Sequence, residues 1–308
     1  MARPRIGIAL GSGSARGWSH IGVLEALDGA GLAPDIVCGC SIGAFVGAAY
    51  VTGRLPALKE FAESLTWRKI VGMLDVRLSG GGVINGRQVV ALLRKLKITA
   101  AIEDCSKPYA AIATDLETGR EIWLREGPID NAVRASISLP GIFSPARHGN
   151  RWLVDGGLVN PVPVSTCRAL GADVVIAVNI NSDLIEPIAG RSSRSIIRGM
   201  TIPPEFVGRL LSQMPAGIRK QASTIAPRLL GAAPTSPGYF DVLTNSINIM
   251  QDKITRSRLA GEPPDVMLAP RLRAIGLMEF HRAVEAIAEG KACVEQALPA
   301  LRRHVEPA

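Results

Sequence analysis

The sequence predicts an α/β protein, a three-layer α/β/α fold with a mostly parallel central sheet. Three observations carry that expectation. Nearly half of the 308 residues are apolar, enough to bury one large core. Short, continuously apolar runs such as Ile6–Leu10 and Val174–Val178 read as strands covered on both faces. Segments of helical length lie between those runs, so strand and helix alternate along the first half of the chain.

Taken in order, Ile6–Leu10 is a strand and 18–30 a helix, joined by the glycine-rich run Gly11-Ser12-Gly13-Ser14-Ala15-Arg16-Gly17. A strand over 36–39 and a helix over 42–52 follow, then amphipathic helices over 56–67 and 87–96, with Leu92, Leu93 and Leu96 on one face of the second. The segments 109–114 and Glu121–Leu124 flank Glu117-Thr118-Gly119 and form a β-hairpin. A helix near 129–137, a strand over 152–154, a helix near 164–170 and the strand Val174–Val178 complete the regular part. Beyond residue 240 come a helix over 241–259, a last strand at Val266–Leu268 and one or two closing helices over 278–303. There is no internal repeat and no clear linker, so a single domain over 1–308 is expected.

Residues 182–240 break the rhythm. Seven Lys/Arg against three acids, interleaved with Ile196, Phe206, Leu210, Met214 and other apolar side chains, make a basic insertion. It fits either a mobile lid or membrane-facing flap, or a solvated excursion.

Composition narrows the partners. The formal charge of +8 suggests acidic ones, but 13 aromatics and no long Lys/Arg block argue against nucleic acid and favour an anionic lipid surface. Cys38, Cys40, Cys105, Cys167 and Cys293 are odd in number and read as reduced thiols of a cytoplasmic protein, with no metal-site spacing and no cofactor implied. The first apolar run is too short for a secretory signal. The charge-free stretch 36–53 holds four glycines and falls just short of the roughly 20 residues a membrane span requires. Any membrane contact is therefore expected to be peripheral, at the inner face, with oligomeric state open.

The chemistry-bearing residues sit at strand ends. Gly39-Cys40-Ser41-Ile42-Gly43 places a serine on a strand-to-helix turn, the setting of an exposed nucleophile, although a small residue in a close-packed turn gives the same pattern. The loop over 11–17 can converge backbone amides on negative charge; it is no dinucleotide fingerprint, because the third glycine of that motif falls at Arg16. Asp155 ends a strand and precedes Gly156-Gly157, which suits either a carboxylate at the sheet edge or a turn-forming Asp-Gly. Of the four histidines, His20 reads as packed or capping, His148 lies in a polar turn, and His281 and His304 fall on late helices.

In that order, Gly-x-Gly-x-x-Arg-Gly after the first strand, Gly-x-Ser-x-Gly after the second and a later Asp-Gly-Gly resemble the patatin-like phospholipases, in particular their compact bacterial members. His20-Ile21-Gly22-Val23-Leu24 and Arg134-Ala135-Ser136-Ile137-Ser138-Leu139-Pro140-Gly141 add to the resemblance, which covers about residues 5–180. It implies a lipid acyl hydrolase of phospholipase A or esterase type with a Ser-Asp dyad: Ser41 as nucleophile, Asp155 as general base, Ser12, Gly13 and Ser14 as the oxyanion loop, and Arg16 lending positive charge. One departure stands out. The family usually has three consecutive glycines where this chain has Ser12-Gly13-Ser14, and the two serines are bulkier and less tolerant of positive φ. That motivates one alternative, a weak or inactive relative that binds lipid or a regulatory partner; a conventional Ser-Asp-His hydrolase using His281 is another.

Overall fold

The computed structural model describes residues 3–72, 86–183 and 239–305. Eight strands form one sheet: β1 (Ile6–Leu10), β2 (Ile36–Cys40), β3 (Tyr109–Asp115), β4 (Glu121–Leu124), β5 (Ala146–His148), β6 (Arg151–Asp155), β7 (Val174–Val178) and β8 (Val266–Leu268). The spatial order is β5-β6-β3-β2-β1-β7-β8, with β4 paired to β3 off that path. From β3 to β8 every pair is parallel, as continuous apolar strands require, while β3–β4, β3–β6 and β5–β6 are antiparallel.

The helices are α1 (Ser19–Gly29), α2 (Ile42–Val51), α3 (Leu55–Glu63), α4 (Trp67–Gly72), α5 (Arg87–Lys95), α6 (Ile129–Ser136), α7 (Val164–Ala169), α8 (Tyr239–Gly261) and α9 (Ala283–Val305). They cover the two faces of the sheet unequally. Ile6, Ile8 and Leu10 alternate toward a thick layer built by α1, α2, α9 and their neighbours. Ala9, Cys38, Ala110 and Ala177 point the other way, where small side chains let α7 lie close, through Val164 and Cys167. The result is the mixed, mostly parallel three-layer architecture that the sequence predicts.

Three local details differ from expectation. The helix expected over 56–67 ends at Glu63, and α4 is a separate helix beginning at Trp67. β5 lies in Ala-Arg-His, which has no apolar run to announce it. The loop after β1 winds into a 3-10 turn at Ser14–Trp18 before α1 begins. Most of the basic insertion expected over 182–240 lies outside the described residues; Ser182 and Asp183 close the turn after β7, and Tyr239 opens α8.

The register around β3 creates the site. Residues 111–114 of β3 pair with β4 along one edge, so β2, paired at 109–112, and β6, paired at 113–115, must share the opposite edge. Cys40 stands beside Ile112 and Asp155 beside Ala113. Two strands running in opposite directions thus meet end to end in one lane. The lane that β2 would continue into is already filled by Asp155, and the chain turns away at Ser41.

Candidate active site

Ser41 occupies that turn with φ 56° and ψ −122°, a backbone conformation that costs an L-residue of order 1–3 kcal/mol. Its surroundings hold it there. A Cβ at Gly43 would overlap the Leu10 carbonyl, and one at Gly39 would press on the backbone of Gly43 and Ala44, so both positions require glycine. The Ser41 amide donates to Ser136 Oγ at 2.9 Å, and Ser136 Oγ in turn donates to the Ile112 carbonyl at 2.5 Å.

Asp155 is fully buried. Its amide donates to the Ser138 carbonyl at 3.0 Å and its carbonyl accepts from Thr114 Oγ1 at 2.8 Å, which fixes the strand end. Ser41 Oγ donates to Asp155 Oδ2 at 2.6 Å. The other oxygen, Oδ1, accepts from the Gly157 amide at 2.8 Å and faces Cys40 Sγ at 3.9 Å. Burial pushes the carboxyl up to about 6, against the opposing pull of the hydrogen bonds from Ser41, Gly157 and Cys40. A carboxylate of that basicity is a better proton acceptor near neutral pH than an exposed aspartate.

The glycine-rich loop lies opposite. Its amides are unequally committed: Gly11 donates to the Val178 carbonyl, Ser12 to the Pro161 carbonyl at 3.0 Å and Ala15 to the Leu277 carbonyl at 3.0 Å. The amides of Gly13 and Ser14 have no partner among the described residues, and both residues line the cavity above Ser41. Ser14 takes φ 54°, the left-handed region where glycine is favoured. Ser12, in contrast, has no positive φ, and its hydroxyl donates to Gln251 Oε1 at 3.2 Å.

Arg16 departs from its expected role. It does not line the cavity; it is buried in the 3-10 turn, where its guanidinium donates to Asn181 Oδ1 at 2.6 Å. Asn181 Nδ2 donates to the Ser12 carbonyl at 2.9 Å, so the arginine reaches the loop through an amide clamp and not as a charge facing the substrate space. Burial lowers its pKa to about 10, with Asp183 pulling the other way, so it remains a cation at neutral pH.

The cavity has a volume of about 190 Å³. Ser41 and Asp155 form part of its floor, and Phe45, Phe61, Leu65, Leu92, Ile137 and Phe143 supply an apolar lining suited to an acyl chain. None of the four histidines lines it. His20 Nε2 is held by the Gly11 carbonyl at 2.8 Å, with burial lowering its pKa to about 4, and His281 stacks at 4.8 Å on Trp67. No histidine bonds Ser41 or Asp155, so the arrangement that a conventional triad requires is not formed among these residues.

Ser136, Asn181 and Gln251 support the site without having been singled out in the sequence. Ser136 lies inside a segment already noted; the other two carry no local signal, because their roles arise from contacts with residues 12–16. Among the described residues, no helix is long and apolar enough to cross a membrane.

Known proteins are similar to this chain. The patatin-like phospholipase family matches over residues 8–168. An uncharacterized NTE family protein of Mycobacterium tuberculosis is 34% identical over 96% of this chain and 92% of its own length. The human patatin-like phospholipase domain-containing protein 6 is 34% identical over 58% of this chain and 13% of its own. The crystal structure of VipD from Legionella pneumophila aligns with TM-score 0.48 and 13% identity, over 98% of this chain and 67% of that one. By the family match over residues 8–168 and the 34% identity of the mycobacterial relative over nearly its whole length, the chain belongs to the patatin-like phospholipase family, and membership implies lipid hydrolase activity.

Proposed function

We propose that the protein is a serine acyl hydrolase of lipid esters, phospholipids included, working through a Ser41–Asp155 dyad. The observation that carries this reading is the 2.6 Å hydrogen bond from Ser41 Oγ to Asp155 Oδ2 on the floor of an apolar cavity. Asp155 takes the Ser41 proton as Oγ attacks the ester carbonyl. The developing oxyanion is held by the Gly13 and Ser14 amides, which have no partner among the described residues. Protonated Asp155 then passes the proton to the departing alkoxide, leaving an acyl-serine. Water, deprotonated by the same carboxylate, attacks the acyl carbon; the bond from that carbon to Ser41 Oγ breaks, Asp155 returns its proton to Oγ, and the fatty acid leaves.

The Gly13 and Ser14 amides, unpartnered among the described residues, also bear on the alternative of an inactive relative. Two observations support a working loop despite serines at 12 and 14: one hydroxyl is bonded to Gln251, and Ser14 takes the left-handed backbone with its amide unpartnered among the described residues. The net charge of +8 supports peripheral contact with an anionic lipid surface, where such substrates reside. The test is hydrolysis of a fatty-acyl ester by the purified protein and by Ser41→Ala. Turnover is expected in the first and loss by at least about 10³-fold in the second, with thermal unfolding unchanged. Equal turnover in both would reject the dyad.

A further inference from the structure

The cavity has a polar wall that ester cleavage itself does not use. It belongs to α8, well outside residues 8–168 over which the family match extends. Gln251 is only 5% exposed and still lines the cavity. One end of its amide bonds Ser12 Oγ; the other, Nε2, lies against Gly157, so close that a Cβ there would overlap it. Nε2 has no hydrogen-bond partner among the described residues and is not sealed from the cavity. Asn248 stands three residues earlier on the same helix face, lines the same cavity, and likewise has no partner among the described residues.

Gln251 Nε2, with no partner among the described residues and open to the cavity, is a donor available to a bound ligand. The position indicates which part of a ligand. In the hydrolysis proposed above, on which this inference rests, the Gly13 and Ser14 amides face the carbonyl oxygen and the phenylalanines and leucines face the acyl chain. Gly157 adjoins Asp155, the group that protonates the leaving oxygen, and so marks the alcohol side. A hydroxyl both donates and accepts, and it satisfies a carboxamide in either orientation.

We propose that Asn248 and Gln251 form the subsite for the alcohol portion of the ester, and that it takes a polyol leaving group of glycerol type with at least one free hydroxyl. Gln251 additionally positions the oxyanion loop through Ser12. The two amides make this chain selective for hydroxyl-bearing leaving groups over simple alkyl ones of equal size.

The experiment compares kcat/KM for the 1-glyceryl and the propyl ester of one short-chain fatty acid, in wild type, Asn248→Leu, Asn248→Gln and Gln251→Leu. Wild type should prefer the glyceryl ester, and each leucine variant should lower the glyceryl-to-propyl ratio by roughly threefold to tenfold, the worth of one hydrogen bond. Asn248→Gln should recover part of that ratio. Because Gln251→Leu also removes the bond to Ser12, both of its rates should fall, and the ratio alone reports the subsite. A wild-type ratio near one, or leucine variants that slow both esters alike, would overturn the subsite and leave the hydrolase intact. Absence of wild-type turnover on both esters, with Ser41 unreactive toward a fluorophosphonate, would overturn the hydrolase and the subsite together.

Discussion

The two halves of the site are held in place by different means. The Ser41 turn is fixed from close by: β2 and β6 fill one edge of β3, and glycines at 39 and 43 let the backbone pass where a Cβ would collide. The Ser12–Ser14 loop is fixed from far away, by the Pro161 and Leu277 carbonyls, the Asn181 clamp and Gln251. A turn set by sheet register tolerates almost no change. A loop held by scattered partners tolerates a changed residue if its partners remain.

Substitutions can break that contrast, the largest effect coming from the dyad. Asp155→Asn should abolish hydrolysis about as fully as Ser41→Ala, and the double variant should be no worse than either, because the two act as one unit. Asp155→Asn should also stabilise the fold. The folded-state pKa is raised to about 6 from an ordinary 3.8, so the folded protein binds this proton more tightly than the unfolded chain, and keeping the carboxylate ionised opposes folding at neutral pH. The variant's advantage should be absent below about pH 4, grow as pH rises to about 6, and level off above it at on the order of 2–3 kcal/mol. Chemical denaturation of both proteins across that range measures it.

Next in size is Gly43→Ala, whose methyl would meet the Leu10 carbonyl and should lower stability by at least about 2–3 kcal/mol. Asn181→Ala tests the distant supports. It removes the acceptor of buried Arg16 and one donor to Ser12, and the displaced loop should lose on the order of 10- to 100-fold in kcat in protein that remains folded. A normal kcat would show that the clamp does not position the amides. The smallest effect belongs to Ser14→Gly: relief of the left-handed backbone, set against glycine's added chain entropy, should stabilise by less than about 1 kcal/mol. A stabilising glycine in the loop beside a ruinous alanine in the turn would sharpen the distinction; similar losses at both would erase it.

The same division governs what could be read from the chain. Apolar strands, the Ser41 turn and Asp155 announce themselves because each is marked by residues beside it in the chain, Gly39 and Gly43 around Ser41 and Gly156-Gly157 after Asp155. Arg16 did not: a cation within a glycine-rich loop suggests charge offered to a substrate, whereas its partner is Asn181, 165 residues away. Gln251 was equally silent, since its value lies in touching Ser12, 239 residues earlier. The antiparallel entry of β6 into the lane of β2 was also hidden, because a three-residue apolar strand carries no sign of its direction.

The most direct trial of a dyad without histidine is the rate at which a fluorophosphonate labels Ser41, followed by mass spectrometry from pH 4 to 9. With Asp155 as the sole base, the wild-type rate should rise tenfold per pH unit below about 6 and then plateau, His281→Gln should trace the same curve, and Asp155→Asn should label at least about 10²-fold more slowly throughout. Labelling of Asp155→Asn at the wild-type rate, or an inflection that vanishes in His281→Gln, would contradict it.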